Sequence, residues 1–197
     1  AEALARAGVG ALDLVDSDVV SLTNINRQLV ADTTTLGQPK AEVAARRVLA
    51  INPECRAVAY VTWADGDSIP RLLEPAPDFV ADAIDSIGPK LDLIAAAVDA
   101  GIPIVSSMGA GNKLDPTRFR LADISATHTC PMARAVRQGL RKRGVTERVT
   151  VVFSDEPPAS DASRPPGSFA PVPAAAGLAM AAAIVRALVS ARQSSPR

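Results

Sequence analysis

The sequence is poor in the residues that build metal centres and disulfide scaffolds, with two cysteines and one histidine in 197 residues. Cys55 and Cys130 lie far apart and form no C-x-x-C pair, and adding His128 gives only three candidate soft ligands. A structural zinc site of the usual kind takes four ligands and is therefore excluded. With a single histidine, a catalytic triad built on a second histidine is excluded as well.

The chain also lacks an excess of either charge, because Lys and Arg together number 21 and Asp and Glu together number 21. With a net charge of zero, the chain has no overall electrostatic attraction to polyanions. Contact with a nucleic acid would need a local basic patch. At 48% hydrophobic residues the chain can bury one substantial core. A secretory signal is not recognisable at the start, and low cysteine usage does not indicate a secreted scaffold. We expect a soluble, cytoplasmic enzyme domain.

A long, uninterrupted hydrophobic run is lacking too. The most apolar stretch, G-L-A-M-A-A-A-I-V-R-A-L-V, lies in a helix predicted over 174–191, is rich in weakly hydrophobic alanine and is interrupted by Arg186. A membrane span needs about 20 predominantly apolar residues. We therefore predict no membrane span and interpret this helix as a core or dimer-interface helix, which favours a two-fold homodimer.

Short apolar runs alternate with helical patterns in the first half of the chain. Strands are predicted at 11–15, 57–62, 79–84 and 102–106, and helices at 40–51, 68–73 and 90–100. This repetition predicts a parallel sheet with right-handed crossovers.

After Met108 the pattern changes, with strands predicted at 120–123 and 149–154 on either side of a helix over 131–143. The predicted fold class is α/β: a doubly wound, Rossmann-like, mostly parallel sheet with an additional antiparallel or crossover part near the C-terminus. We expect one domain, 1–197, with a nucleotide-binding part, 1–108, and a crossover, substrate and dimerisation part, 109–197.

The stretch from Asp13 to Lys40 places acidic, amide and cationic groups behind the first apolar run. Asp16 and Asp18 follow that strand, where carboxylates can accept hydrogen bonds from ribose hydroxyls. Arg27 and Lys40 supply charges for phosphate oxygens, the arginine as a planar fork and the lysine as a mobile point charge. Lys40 opens a helix, where the dipole favours anions, so a bound phosphate would explain it. The alternative is a solvated loop followed by an N-capped helix.

Two further segments follow later strands: D-A-I-D-S over 82–86 and S-M-G-A-G-N-K-L-D-P-T over 107–117. With these segments, the chain resembles the ubiquitin-activating-enzyme-like (ThiF/MoeB-type) adenylating proteins. The segments 121–145, L-A-D-I-S-A-T-H-T-C-P-M-A-R-A-V-R-Q-G-L-R-K-R-G-V, and 152–158, V-F-S-D-E-P-P, are similar to the tRNA threonylcarbamoyladenosine dehydratase branch. The resemblance covers nearly all of the chain.

One departure from that family is large. Its members carry a Gly-rich turn between their first strand and first helix, whereas this sequence starts at A-E-A-L-A-R-A-G, which is similar to the last turns of that helix. The first strand and the phosphate loop are therefore expected to be absent. The sequence is either a fragment or the ordered part of a longer chain. The second is favoured, because loss of an interior strand would expose apolar surface.

The resemblance implies a set of site residues for ATP and Mg²⁺. Asn24 and Arg27 match the family's N-x-x-R element, which contacts the triphosphate, while Gln28 is expected to support the turn. Asp85 matches the family's position beside magnesium and the reacting phosphates, and Asp82 is expected to be structural. The full candidate set for nucleotide and metal is Asp16, Asp18, Asn24, Arg27, Gln28, Lys40 and Asp85, with Asp85, Arg27 and Lys40 as catalytic candidates.

The predicted helix over 131–143 offers the best basic patch. Arg134, Arg137 and Arg141 share one stripe and are our candidates for tRNA contact, with an ordinary solvated helix face as the alternative. Cys130 directly precedes this helix. Related activators use a cysteine for sulfur chemistry, so a sulfur-relay partner protein stays open. The cyclisation that the resemblance implies needs no thiol, so we interpret Cys130 as non-catalytic.

The resemblance therefore implies an ATP-dependent enzyme that cyclises threonylcarbamoyladenosine beside the anticodon of tRNA through an acyl-adenylate. Two other functions stay open. One is adenylation of a sulfur-carrier or ubiquitin-like protein. The lack of cysteine pairs that could bind zinc argues against it. The other is a non-catalytic scaffold of the same fold. This alternative stays open because the sequence does not contain the Gly-rich loop.

Overall fold

The computed structural model describes residues 1–145, 148–159 and 166–194. The chain divides into two compact units, Ala1–Ala64 and Asp65–Arg197. The boundary after Ala64 differs from the division expected at Met108. The functional division into a nucleotide-binding part and a substrate part stays a prediction.

The first unit alternates helix and strand: α1 (Glu2–Arg6), β1 (Ala11–Val15), α2 (Lys40–Ile51) and β2 (Arg56–Tyr60). β1 and β2 pair in parallel, from Ala11 opposite Arg56 to Val15 opposite Tyr60. Helix α2 forms because small and apolar residues recur on one face, and Ala41, Ala45 and Val48 are buried there.

A long connection between β1 and α2 contains a 3-10 turn over Leu22–Asn24 and packs against the same helix. Val20 and Ala31 of this connection form a small core with Val43 of α2. Val19 and Pro39 form an antiparallel bridge that closes the connection at its base. The polar residues of the predicted nucleotide site are therefore held in a packed segment.

The second unit contains the larger sheet. Its elements are α3 (Ile69–Leu72), β3 (Val80–Asp82), α4 (Ile87–Asp99), β4 (Ile104–Ser107), β5 (Phe119–Asp123), α5 (Pro131–Lys142), β6 (Thr150–Ser154) and α6 (Pro171–Ser194). The strand order is β3-β4-β6-β5. β3, β4 and β6 are parallel, and β5 pairs antiparallel with β6.

Helices cover both faces of this sheet. Val151 and Phe153 of β6 join residues of α4 and α5 in one core. Val152 lies between them, points to the opposite face and is also fully buried. Helix α6 packs against β4, β5 and β6. The predicted α/β class, its mostly parallel sheet and its antiparallel C-terminal part are confirmed.

Helix α6 has one buried and one exposed face. Val172, Ala176, Met180 and Ile184 recur every four residues and are buried, while Leu178 on the other side is 60% exposed. By length and composition alone, Pro171–Gln193 would be long and apolar enough to cross a membrane. Core helices of soluble proteins pass the same test, so the predicted absence of a membrane span stays a prediction.

Candidate functional site

Asp16 lies at the carboxyl end of β1, where its amide extends the parallel ladder by donating to the Tyr60 carbonyl at 3.1 Å. Its carboxylate Oδ1 accepts a hydrogen bond from the Asp18 amide at 2.9 Å. This local turn leaves the Asp16 side chain half-buried at the strand edge. The second carboxylate oxygen can thus face a ribose hydroxyl without breaking that turn.

Asp18 and Lys40 form an ion pair, with Lys40 Nζ 2.7 Å from Asp18 Oδ2. The Lys40 amide also donates to the Asp18 carbonyl at 2.9 Å. The lysine side chain is 11% exposed and the aspartate side chain 61%. In the sequence alone, a bound phosphate was needed to explain a lysine at the start of α2. Asp18 already provides the compensating charge, so the position of Lys40 does not by itself indicate a phosphate.

Asn24 and Arg27 are bonded within the connection itself. Asn24 is buried, and its Oδ1 accepts from the Ser21 amide at 3.0 Å, which caps the 3-10 turn. Arg27 Nη1 donates to the Thr23 carbonyl at 2.8 Å and to Asn26 Oδ1 at 3.0 Å. A guanidinium carries five N–H donors, so these two bonds of one nitrogen fix its orientation and leave capacity for an oxyanion.

Gln28 contributes to the same turn through its backbone. Its amide donates to the Asn24 carbonyl at 2.9 Å, and its carbonyl accepts from the Ala31 amide at 3.0 Å. The first unit thus brings Asp16, Asp18 and Lys40 to the end of β1 and the start of α2, with Asn24, Arg27 and Gln28 in the turn between them.

A cavity in the first unit lies away from these residues. It has a volume of about 640 Å³ and is lined by Ala5, Arg6, Gly8, Gly10, Ile51, Asn52 and Glu54. None of the candidate residues lines it. This cavity is therefore not the site that the sequence predicts.

In the second unit, Asp85 lies exposed in the turn between β3 and α4. The Ser86 hydroxyl donates to its Oδ1 at 3.2 Å. Among the described residues, no group of three or more His, Cys, Asp or Glu side chains is arranged to hold a metal. Mg²⁺ commonly uses one or two carboxylates together with substrate phosphates and water, so an exposed Asp85 suits that mode of binding.

A buried ion pair beside this turn was not predicted. Lys90 and Asp82 are both fully buried, with Lys90 Nζ 2.7 Å from Asp82 Oδ2. Lys90 Nζ also donates to the Ser107 carbonyl at 2.9 Å and to Ser106 Oγ at 3.3 Å. Burial lowers the pKa of the Lys90 ammonium, an effect that the Asp82 charge opposes. The available signal was an aspartate ending a buried strand, which needs a cation within reach.

The three arginines of α5 are not equivalent. Arg134 and Arg141 are exposed. Arg137 is half-buried and donates from Nη1 to the Thr127 carbonyl at 2.9 Å and to Thr127 Oγ1 at 2.5 Å. Arg137 thus anchors the segment that precedes the helix, and contact of Arg134, Arg137 and Arg141 with tRNA stays a prediction. Arg143, at the end of α5, pairs with Asp92.

A surface cavity of about 350 Å³ lies at the start of α5, lined by His128, Thr129, Cys130, Pro131, Arg134, Ala135, Arg137 and Gln138. Cys130 precedes the first residue of the helix and is 3% exposed. Cys55 is also 3% exposed, so both thiols of the chain are buried. Buried thiols of this kind are poor nucleophiles, which agrees with a non-catalytic Cys130.

Comparisons with known proteins identify the same family that the sequence motifs resemble. Residues 1–197 match the model of the ThiF family. The chain is 44% identical to a tRNA threonylcarbamoyladenosine dehydratase of Bacillus subtilis (strain 168), covering 96% of this chain and 81% of that protein. A crystal structure of the E. coli tRNA N6-threonylcarbamoyladenosine dehydratase, TcdA, with AMP superposes with a TM-score of 0.93 at 34% identity, covering 98% of this chain and 82% of that one. The same enzyme with ATP gives a TM-score of 0.92 at 35% identity with the same coverage.

Proposed function

The chain belongs to the ThiF family and, within it, to the tRNA threonylcarbamoyladenosine dehydratases, and we propose that it is an ATP-dependent dehydratase that cyclises threonylcarbamoyladenosine beside the anticodon of tRNA. The observation that carries this proposal is the likeness, over nearly the whole chain, to a dehydratase solved with both ATP and AMP. The polar groups at the end of β1 in the first unit and those in the turn after β3 in the second unit each support it.

The proposed reaction has two steps. An oxygen of the threonylcarbamoyl carboxylate bonds to the α-phosphorus of ATP, the α–β phosphoanhydride bond breaks, and pyrophosphate leaves. An internal amide or hydroxyl then attacks the activated carbonyl, loses its proton, closes the ring and expels AMP. The net result is loss of one water from the nucleoside, driven by cleavage of ATP to AMP and pyrophosphate.

The candidate residues have distinct roles in this proposal. Asp16 accepts from the ribose hydroxyls, while Arg27 and Lys40 neutralise phosphate oxygens. Lys40 can turn from Asp18 to a phosphate at small cost, because an ion pair with an exposed partner contributes little stability. Asn24 and Gln28 hold the turn that carries Arg27, and Asp18 holds Lys40 between turnovers. Asp85 would hold Mg²⁺, which supplies charge neutralisation of the triphosphate.

The tRNA surface is proposed to include the exposed arginines of α5, Arg134 and Arg141. Changing both to Gln is expected to weaken tRNA binding. The plot of log K against log[salt] should become shallower, its slope changing by about 0.7 to 0.9 for each phosphate that is no longer bound. Changing Arg71, which is exposed on α3, to Gln is the matched control and should leave both quantities unchanged. Unaltered affinity and salt slope in the Arg134 and Arg141 double variant would remove α5 from the tRNA surface.

The oligomeric state and the location of the protein are further parts of this proposal. The exposed face of α6, with Leu178 at 60% and Val189 at 50% exposure, suits a homodimer contact. A cytoplasmic location follows from a tRNA substrate. A sulfur-relay partner gains no support, since both cysteines of the chain are buried.

The decisive experiment is incubation of the protein with modified tRNA, ATP and magnesium, followed by mass analysis of the nucleosides. A nucleoside lighter by one water, formed together with AMP, supports the proposal. Adenylation of a Gly-Gly-ended carrier protein without any change in tRNA would favour the carrier activator. Binding of ATP without either product would favour the non-catalytic scaffold.

A further inference from the structure

The buried pair of Asp82 and Lys90 flanks Asp85 in the sequence. Asp85 is the residue proposed to act on the phosphates and the metal. We propose that Lys90 is a positioning residue for the adenylation step, which it serves by fixing the turn that carries Asp85. This inference rests on the proposed function, because it assigns Lys90 a task in that reaction.

Lys90 connects three elements of the second unit. Its side chain starts from α4 and bonds to Asp82 at the end of β3 and to Ser106 and Ser107 at the end of β4. An ammonium has three N–H donors, and the three acceptors here use all of them. The carboxyl ends of two parallel strands and the start of the following helix are therefore joined at one buried nitrogen.

Asp82 completes the network on the side of the turn. Its Oδ2 accepts from Lys90 Nζ and from the Ser106 hydroxyl, and its Oδ1 accepts from the Ile84 amide at 2.9 Å. Ile84 directly precedes Asp85, and the Lys90 amide donates to the carbonyl of Ser86, which follows it, at 3.2 Å. The side chain of Asp82 thus fixes the backbone on one side of Asp85, and the first turn of α4 fixes it on the other.

The electrostatics point in the same direction. The charge of Asp85 favours the charged form of Lys90, so the two groups lie near enough to interact although they make no direct bond. Asp85 therefore lies within electrostatic range of the buried pair.

Core stability alone does not require such a pair. Replacing a buried ion pair by neutral residues of similar volume is often neutral or stabilising, because the desolvation of two charges offsets their attraction. A buried lysine that only filled space would therefore be replaceable together with its partner without loss of function. A positioning residue would not be.

The experiment compares three proteins. The first is wild type, and the second is the double variant Asp82→Asn, Lys90→Met, which removes both charges and keeps the approximate volume. The third is Ile94→Ala, a change at a fully buried apolar residue of the same helix that serves as the control for loss of stability. Each is assayed for AMP release with modified tRNA, and hydrogen–deuterium exchange is measured for the peptide covering 82–86.

We expect the double variant to fold and to lose about 10- to 100-fold in kcat, the scale on which a displaced catalytic group slows a reaction. Its KM for ATP should stay unchanged, since the contacts of the bound nucleotide are kept, and exchange in 82–86 should rise. Ile94→Ala should melt at a lower temperature and keep its kcat.

A double variant with wild-type kcat and wild-type exchange would overturn the role of Lys90 while leaving the proposed function intact. Equal losses of kcat in the double variant and in Ile94→Ala would overturn it as well, because the effect would then follow stability. Failure of the wild-type protein to release AMP would overturn the proposed function itself and this inference with it.

Discussion

Each of the two units has a lysine–aspartate pair near the carboxyl end of a parallel strand, but only one of the pairs is in contact with water. In the first unit, Lys40 pairs with Asp18, whose side chain is 61% exposed. In the second unit, Lys90 and Asp82 are both fully buried. The exposed pair can exchange its partner for a ligand, whereas the buried pair is committed to the fold. In our proposals, the same two residue types serve ligand binding in one unit and hold the turn that carries Asp85 in the other.

The largest expected effect separates the two pairs by stability. Lys90→Met leaves the Asp82 carboxylate buried without its cation and should lower the free energy of unfolding by about 3–5 kcal/mol. Lys40→Met removes the partner of an exposed carboxylate and should cost about 1 kcal/mol or less. Urea denaturation of both variants measures the difference. Equal losses would end the distinction between the two pairs.

The next effect concerns the exposed carboxylate beside the buried pair. Asp85→Asn keeps the shape of the side chain and should lower the rate of AMP release by about 100-fold or more, on the scale of removing one group that stabilises transition-state charge. Its melting temperature should match that of wild type, because the residue is exposed. Asp99→Asn, at an exposed aspartate at the end of α4, is the control and should retain the wild-type rate. Normal turnover in Asp85→Asn would place the metal elsewhere.

A smaller effect tests the ligand-binding role of the first unit. Arg27→Ala should weaken ATP binding by about 1.5–3 kcal/mol, the contribution of one charged hydrogen bond, and should leave the fold unchanged. Arg56→Ala is the matched control, because Arg56 lies at the opposite, amino end of β2 and pairs with Asp13. Calorimetric titration with ATP distinguishes them. The nucleotide site of this unit would be misplaced if both variants bound ATP as wild type does.

The smallest effect concerns an ion pair of the second unit that lies nearer the surface. Hydrogen bonds from Arg120 and Arg118 lower the pKa of Asp155 below its ordinary value. A carboxylate whose pKa is lower in the folded state contributes stability above its unfolded pKa and loses it as the pH falls through the folded value. The difference in melting temperature between wild type and Asp155→Asn should therefore be full above about pH 5 and shrink below about pH 4. A constant difference from pH 7 to pH 3 would contradict this assignment.

Much of the fold could be predicted from the sequence because its apolar residues recur with clear helical and strand periods. The predicted bounds of β1 and of α2 agree with the structure, Ala11–Val15 and Lys40–Ile51. Helix α4 begins at Ile87, three residues before the predicted start at Lys90, and its first turn contains Gly88 and Pro89. Proline is tolerated in the first turn of a helix, where its missing N–H has no partner to lose.

The candidate site was accessible only where its residues are neighbours in sequence or match a family motif. Asp16 and Arg27 were found in that way, and their roles stay predictions. Lys90 was missed because its partners Ser106 and Ser107 are brought to it by the pairing of β3 with β4. The contact of Arg137 with Thr127 was missed for a similar reason, since it depends on how the preceding segment folds back. Helical periodicity places a side chain on a face and gives no information on what that face meets.

The buried pair also constrains how this chain can evolve. A substitution of Asp82 or Lys90 alone leaves an uncompensated charge in the core, so most single steps away from the pair lead through a poorly folded intermediate. Viable lineages should therefore keep both residues or replace both. Across a set of homologous sequences, the two positions are expected to change together, and Asp18 and Lys40 are expected to vary more independently.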